Sequence, residues 1–172
     1  MQLFIRIVNR LSTLCGVLAV ILIAVSILIV CQMVVLRYGF SASTSWQTDV
    51  VTFALVAATM LGCPYLLLTG GHVKVDIVVS KLSVNKQRLF KIISRLIVMM
   101  VGIAFAWTGT QLTFEAYHGG WLSETVAEIP LWIAYLAMPV GFSLLAIQAL
   151  ADILQTFLGL DTDVNPPSTG HG

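Results

Sequence analysis

LSTLCGVLAVILIAVSILIVCQMVVL, residues 11–36, runs without a single Asp, Glu, Lys, Arg or His. A helix rising about 1.5 Å per residue needs roughly 20 apolar residues to cross about 30 Å of hydrocarbon, and this run exceeds that length. A membrane barrel strand would alternate apolar and polar side chains over about 10 residues, whereas the apolar character here is continuous. In lipid the backbone has to satisfy its own hydrogen bonds, which leaves helix. Arg6 and Arg10 ahead of the run imitate a signal peptide, but the apolar core is about twice the usual length and lacks a small-residue cleavage site. The segment is therefore expected to remain as an anchor.

Three further charge-free runs follow at Val50–Gly71, Leu96–Phe114 and Ile129–Ala151. The 172 residues are 58% hydrophobic and 10% charged, outside the range of soluble domains. The expected fold is all-α: an integral membrane protein with spans at about 11–36, 47–69, 90–114 and 129–153. They would make one domain over residues 1–160, followed by a flexible tail, 161–172, rich in Pro, Ser and Gly. A net charge of +1 with no clustered basic face gives no footing for nucleic acid. Cys15, Cys31 and Cys63 all lie in apolar stretches without metal-ligand spacing and read as packing residues.

Charge placement orients the spans. Arg6 and Arg10 precede the first, and Lys74, Lys81, Lys86, Arg88, Lys91 and Arg95 lie between the second and third or just inside the third. Arg37 alone falls on the other side, whose second loop holds Glu115, Glu124 and Glu128 without a base. The positive-inside rule places the N-terminus, the central loop and the C-terminus in the cytoplasm.

Helix ends carry their own signals. Thr44 and Gln47 have capping-box spacing for the start of the second span, with Trp46 at the outer interface. Pro64 should kink that span unless a neighbour compensates, and Gly70 and Gly71 suit its exit. Between spans two and three, Val75, Val78, Val79 and Leu82 have helical spacing with Lys74 and Lys81 opposite, which predicts a short helix on the inner surface, with a soluble loop as the alternative. The third helix should begin near Asn85. Pro130 suits a first helical turn, and Pro139 should bend the fourth helix.

Ionisable side chains at mid-bilayer mark ion paths, proton relays or substrate sites, and the runs contain none. Asp49, Arg95, Glu115 and Asp152 fall at span ends within reach of the interface, and the deepest polar groups read as Gln32, Thr59 and Gln111. No facing histidines offer a haem site, because His72, His118 and His171 lie in loops or the tail. No catalytic triad, H-E-x-x-H or phosphate loop occurs, so neither enzyme chemistry nor a cofactor is expected. Small-residue ladders at Ala54, Ala58 and Gly62, at Gly102 and Ala106, and at Ala137 and Gly141 allow close helix approach, either within the chain or against another subunit. Arg37 and Asp49 flank one outer loop with opposite charges. They could pair locally, anchor at the interface or contact lipid, or meet a partner subunit. His72 and Asp76, four apart, could hold a turn or meet a partner or lipid head groups. Trp46, Trp121 and Trp132 read as interfacial belt residues.

Several fragments then read together: Arg37-Tyr38, Ser45-Trp46-x-x-Asp49, Gly62-Cys63-Pro64-Tyr65, Gly70-Gly71-His72-Val73-Lys74-Val75-Asp76, Glu128-Ile129-Pro130-Leu131-Trp132 and Met138-Pro139-Val140-Gly141. With them the chain resembles the small permease (DctQ-like) subunit of tripartite ATP-independent periplasmic (TRAP) transporters. Thr48 stands before Asp49 where that family often has paired acids. The resemblance implies a sodium-coupled importer of an organic acid, in which a periplasmic binding protein captures substrate and a large permease subunit carries it. The small subunit would be a non-catalytic scaffold for the large one. Arg37, Trp46, Asp49, Gly62, Gly71, His72 and Asp76 are then candidates for contact with a partner subunit or with membrane lipids. A membrane anchor of a respiratory enzyme is the competing reading, which a haem or quinone signal would reveal.

Overall fold

The computed structural model describes residues 2–40, 44–69, 84–125 and 128–157. They form four helices, α1 (Gln2–Gly39), α2 (Ser45–Leu68), α3 (Val84–His118) and α4 (Trp132–Phe157), each with a stretch long and apolar enough to cross a membrane. The all-α membrane architecture expected from the runs is the one found. Apart from one isolated antiparallel bridge, Leu122 to Pro130, no β pairing occurs among the described residues. α1 begins well before Leu11, so Arg6, Asn9 and Arg10 are already helical. The segment expected to form a surface helix (73–82), the Gly70–Gly71 exit and the 161–172 tail lie outside the described residues.

The helices do not pack in chain order. α1 lies on α2, α2 on α4 and α4 on α3, with a slighter contact between α1 and α4. Two hairpins, α1–α2 and α3–α4, are thus joined through α2 and α4, which leaves α1 and α3 at opposite edges. Where α2 and α3 splay apart over Leu145, an apolar groove of ≈ 380 Å³ opens, lined by Cys63, Leu67 and Val98 among others.

Packing is inverted relative to a soluble domain. The buried apolar residues are mostly alanines, Ala19, Ala58, Ala116, Ala134, Ala146, Ala149 and Ala151, while Leu, Ile, Val and Phe side chains face outward. Lipid tails are as apolar as leucine, so nothing drives large side chains inward, and small residues let backbones approach instead. The ladders serve this packing inside the chain: Gly62 faces Ala19 of α1, and Gly102 faces Ala146 and the Phe142 carbonyl of α4.

The tightest crossing explains how Pro64 is accommodated. A proline has no N–H to return to the carbonyl four residues back, here that of Met60. Gly141 of α4 lies against that carbonyl, so close that a Cβ on Gly141 would stand 2.7 Å from the Met60 carbonyl carbon. A Cα–H at such range offers the orphaned oxygen a weak donor. Thus the Met138-Pro139-Val140-Gly141 fragment of α4 meets α2 one turn ahead of Pro64. α2 continues as helix through Pro64 to Leu68.

Two helix ends differ from expectation. Thr44 occupies the N-cap position of α2 but makes no side-chain capping bond, and Gln47 is buried at 2% exposure, so the capping box does not form. Pro130 precedes the fourth helix rather than opening it: it is taken up in the bridge to Leu122, and α4 starts at Trp132. The bridge wins because Ser123 N–H donates to the Ile129 carbonyl at 2.9 Å and Leu131 N–H to the Trp121 carbonyl at 3.0 Å, which holds the chain extended up to the helix.

Candidate functional site

Two polar clusters tie the helices together, one at each end. The first forms on Asp49, one turn into α2. Ser123 Oγ donates to Asp49 Oδ2 at 2.8 Å, and Thr125 Oγ1 donates to the same oxygen. Asp49 is 8% exposed. Charge-assisted bonds are about twice as strong as neutral ones, and a carboxylate near a helix amino end is further favoured by the helix dipole.

Local sequence delivers the two hydroxyls. α3 ends in a Schellman arrangement, with Trp121 N–H on the Ala116 carbonyl at 3.1 Å, Gly120 N–H on the Tyr117 carbonyl at 3.4 Å and Gly120 at φ +59°. Glycine is needed there because a Cβ disfavours that left-handed conformation. The chain then doubles back through the Leu122–Pro130 bridge, and Glu128 takes φ +45°. The loop is thereby shaped to present Ser123 and Thr125 to α2.

The second cluster is centred on Gln148 of α4, which is fully buried at 0% exposure. Ser12 Oγ, also at 0%, donates to Gln148 Oε1 at 2.8 Å. Gln148 Nε2 donates to Asn9 Oδ1 and Asp152 Oδ1, each at 3.1 Å. Asp152 Oδ2 lies 3.4 Å from Arg95 Nε. One amide therefore joins α1 to α4, and one carboxylate joins α4 to α3. Arg95 and Asp152, expected at span ends within reach of the interface, face each other there. Gln148, which the sequence did not single out, is fully enclosed, as is Ser12.

Elsewhere in the spans the hydroxyls are satisfied locally. Thr13, Ser26, Thr52, Thr59, Thr108, Thr110 and Thr113 each donate to the carbonyl one turn back, which costs no partner helix. Among the described residues no three His, Cys, Asp or Glu gather into a metal-ligating group. Two buried side-chain atoms have no hydrogen-bond partner among the described residues, Gln47 Oε1 and Arg95 Nη1.

The residues singled out by sequence separate into three sets. Asp49 is enclosed by the loop between α3 and α4. Of the readings left open for Arg37 and Asp49, the local pair does not form: Ser123 and Thr125 hold Asp49 Oδ2, and Arg37 is exposed on the last turn of α1. Trp46 is exposed beside Asp49, and Gly62 faces Ala19 within the chain. Thr48, in place of a second acid, turns its hydroxyl toward Met33 Sδ of α1 at 3.9 Å, away from the loop hydroxyls. Gly71, His72 and Asp76 lie outside the described residues. Sequence reading missed Asn9, Ser12, Gln148, Ser123 and Thr125. The available signal was the pair of polar spacings, Asn9 with Ser12 and Gln148 with Asp152, at matching depths of two apolar runs.

Fold and clusters define a class: a multi-pass membrane protein whose buried polar groups join its own helices. The family model for the DctQ component of tripartite ATP-independent periplasmic transporters matches residues 26–159, and the chain belongs to that family. It is similar to the C4-dicarboxylate TRAP transporter small permease protein DctQ of Rhodobacter capsulatus, 29% identical over 133 residues, 74% of this chain and 54% of that protein. The chain thus spans about half the length of that relative. It is also similar to the ectoine TRAP transporter small permease protein TeaB of Halomonas elongata, 21% identical over 90% of this chain and 82% of that one. A third match is the isethionate TRAP transporter permease protein DctMQ of Oleidesulfovibrio alaskensis, 24% identical over 66% of this chain but 18% of that protein. No solved structure matches the chain. The protein is accordingly a multi-pass inner-membrane member of a family of transporter components.

Proposed function

We propose that this chain is the static scaffold of a sodium-coupled tripartite importer, holding a large permease subunit in the bilayer while that subunit moves an organic acid supplied by a periplasmic binding protein. The observation that carries the reading is the use of the polar groups. Gln148 and the span hydroxyls listen to their own helices rather than to a cavity, as a support requires and a carrier does not. The names of the relatives mention dicarboxylate, isethionate and ectoine, all small acidic or zwitterionic molecules, which favours that substrate class here. A stretch like this chain makes up 18% of the much longer DctMQ permease, which favours a large membrane partner. The basic residues around Arg6, Arg10 and Lys74–Arg95 favour cytoplasmic termini, with the Asp49 cluster on the periplasmic side.

Tagged chain purified from native membranes should bring down a much larger polytopic protein, and vesicles holding this chain alone should show no sodium-driven uptake. Uptake by the lone chain would overturn the scaffold role. Single cysteines in place of Ser83 and Ser123 should react with impermeant maleimide from opposite faces, and labelling of both from one face would overturn the orientation.

A further inference from the structure

The face formed by α3 and α4 carries an open groove of ≈ 560 Å³, whose lining includes Ala106, Trp107, Thr110, Pro139, Val140 and Ser143. Trp107 is the notable member. At about 1.5 Å per residue it lies about 10 Å from Phe114 and about 16 Å from Leu96, near the middle of the apolar run. Tryptophan normally sits at the membrane interface, where water or head groups take its N–H. Here the side chain is 69% exposed at hydrocarbon depth, and its indole N–H meets no acceptor among the described residues. The groove's two hydroxyls, Thr110 and Ser143, donate within their own helices, to the Ala106 and Val140 carbonyls, and neither accepts from the indole.

The groove therefore presents the partial positive charge of the Trp107 indole N–H. Acyl chains offer that N–H no acceptor, so lipid filling the groove would leave it unpaired. Ala106 and Ser143 keep the floor low enough for another backbone to approach.

We infer that the α3–α4 groove at Trp107 receives a transmembrane helix of the large permease subunit, one that sets an amide or hydroxyl side chain against the indole N–H at mid-membrane. The inference rests on the scaffold reading above and names the face that reading leaves open.

The test uses the complex co-expressed with its large subunit and captured through a tag on this chain. Trp107→Phe keeps the ring and removes the N–H, and should lower retention of the large subunit about 3- to 16-fold, the span expected for one intramembrane hydrogen bond. Ser143→Trp fills the groove and should lower it about tenfold or more. Val17→Trp, on the exposed face of α1, should leave it unchanged. A photo-crosslinking residue in place of Val140 should form an adduct of the large subunit's mass, which decides the matter even if Ser143→Trp misfolds. Undiminished retention in both groove variants, or adducts only with lipid or with a second copy of this chain, would overturn the inference while the scaffold role stands. Failure of the unmodified chain to retain any large subunit would overturn both.

Discussion

Replacing Gln148 with leucine tests whether its polar cluster, rather than apolar packing, fixes α1 against α4. The side chains are similar in volume, so the main loss is of three hydrogen bonds: one from Ser12 at 2.8 Å, and one each to Asn9 and Asp152 at 3.1 Å. Side-chain hydrogen bonds inside membranes average about 0.6 kcal/mol and reach about 1.7 kcal/mol, so Gln148→Leu should destabilise the chain by about 2 to 5 kcal/mol. Ser12→Ala removes one of the three and should cost about 0.6 to 1.7 kcal/mol. Once Gln148 is leucine, the Ser12 hydroxyl has no amide to serve, so adding Ser12→Ala should cost almost nothing more. The coupling between the two positions should therefore equal about 0.6 to 1.7 kcal/mol. Reversible unfolding in mixed micelles, followed by far-UV circular dichroism across the four variants of the cycle, gives each term. Additive costs, or a Gln148→Leu cost under about 0.5 kcal/mol, would refute the claim that this amide joins the helices.

At the opposite end, Asp49→Ala strands two hydroxyls and should raise hydrogen exchange across residues 119–131, while Ser123→Ala should do so to a smaller degree because Thr125 still holds the carboxylate. Exchange unchanged by Asp49→Ala would mean the loop holds its shape without α2. Gly120→Val forces a β-branched residue to φ +59° and should lower stability by about 1 to 2 kcal/mol, whereas Glu128→Gly relieves φ +45° and should be neutral or stabilising, both read by thermal unfolding. Gly141→Leu drives a side chain into the Met60 carbonyl and should cost about 1 to 3 kcal/mol, again read by thermal unfolding.

The contrast between the two polar clusters shows where sequence reading ran out. Asp49 stood out because an acid one turn into an apolar helix is conspicuous, but its partners lie 74 and 76 positions away in a loop whose path depends on the left-handed turn at Gly120 and the bridge at Pro130. Arg37, nearer along the chain, was the more natural guess and is not the partner. Gln148 gave less warning still: a single amide in an apolar run carries no periodicity, and its hydroxyl partner is 136 positions distant.

Length and continuity of the apolar runs determined that this chain is four membrane helices, because a backbone in hydrocarbon has no alternative way to satisfy its hydrogen bonds. Motif spelling was enough to suggest the family. The spatial order α1–α2–α4–α3 was decided only in three dimensions. In lipid no hydrophobic force ranks one apolar face above another, so neighbours are chosen by where small residues allow contact and where polar side chains find each other, as Gly141 does with Met60 and Gln148 with Ser12.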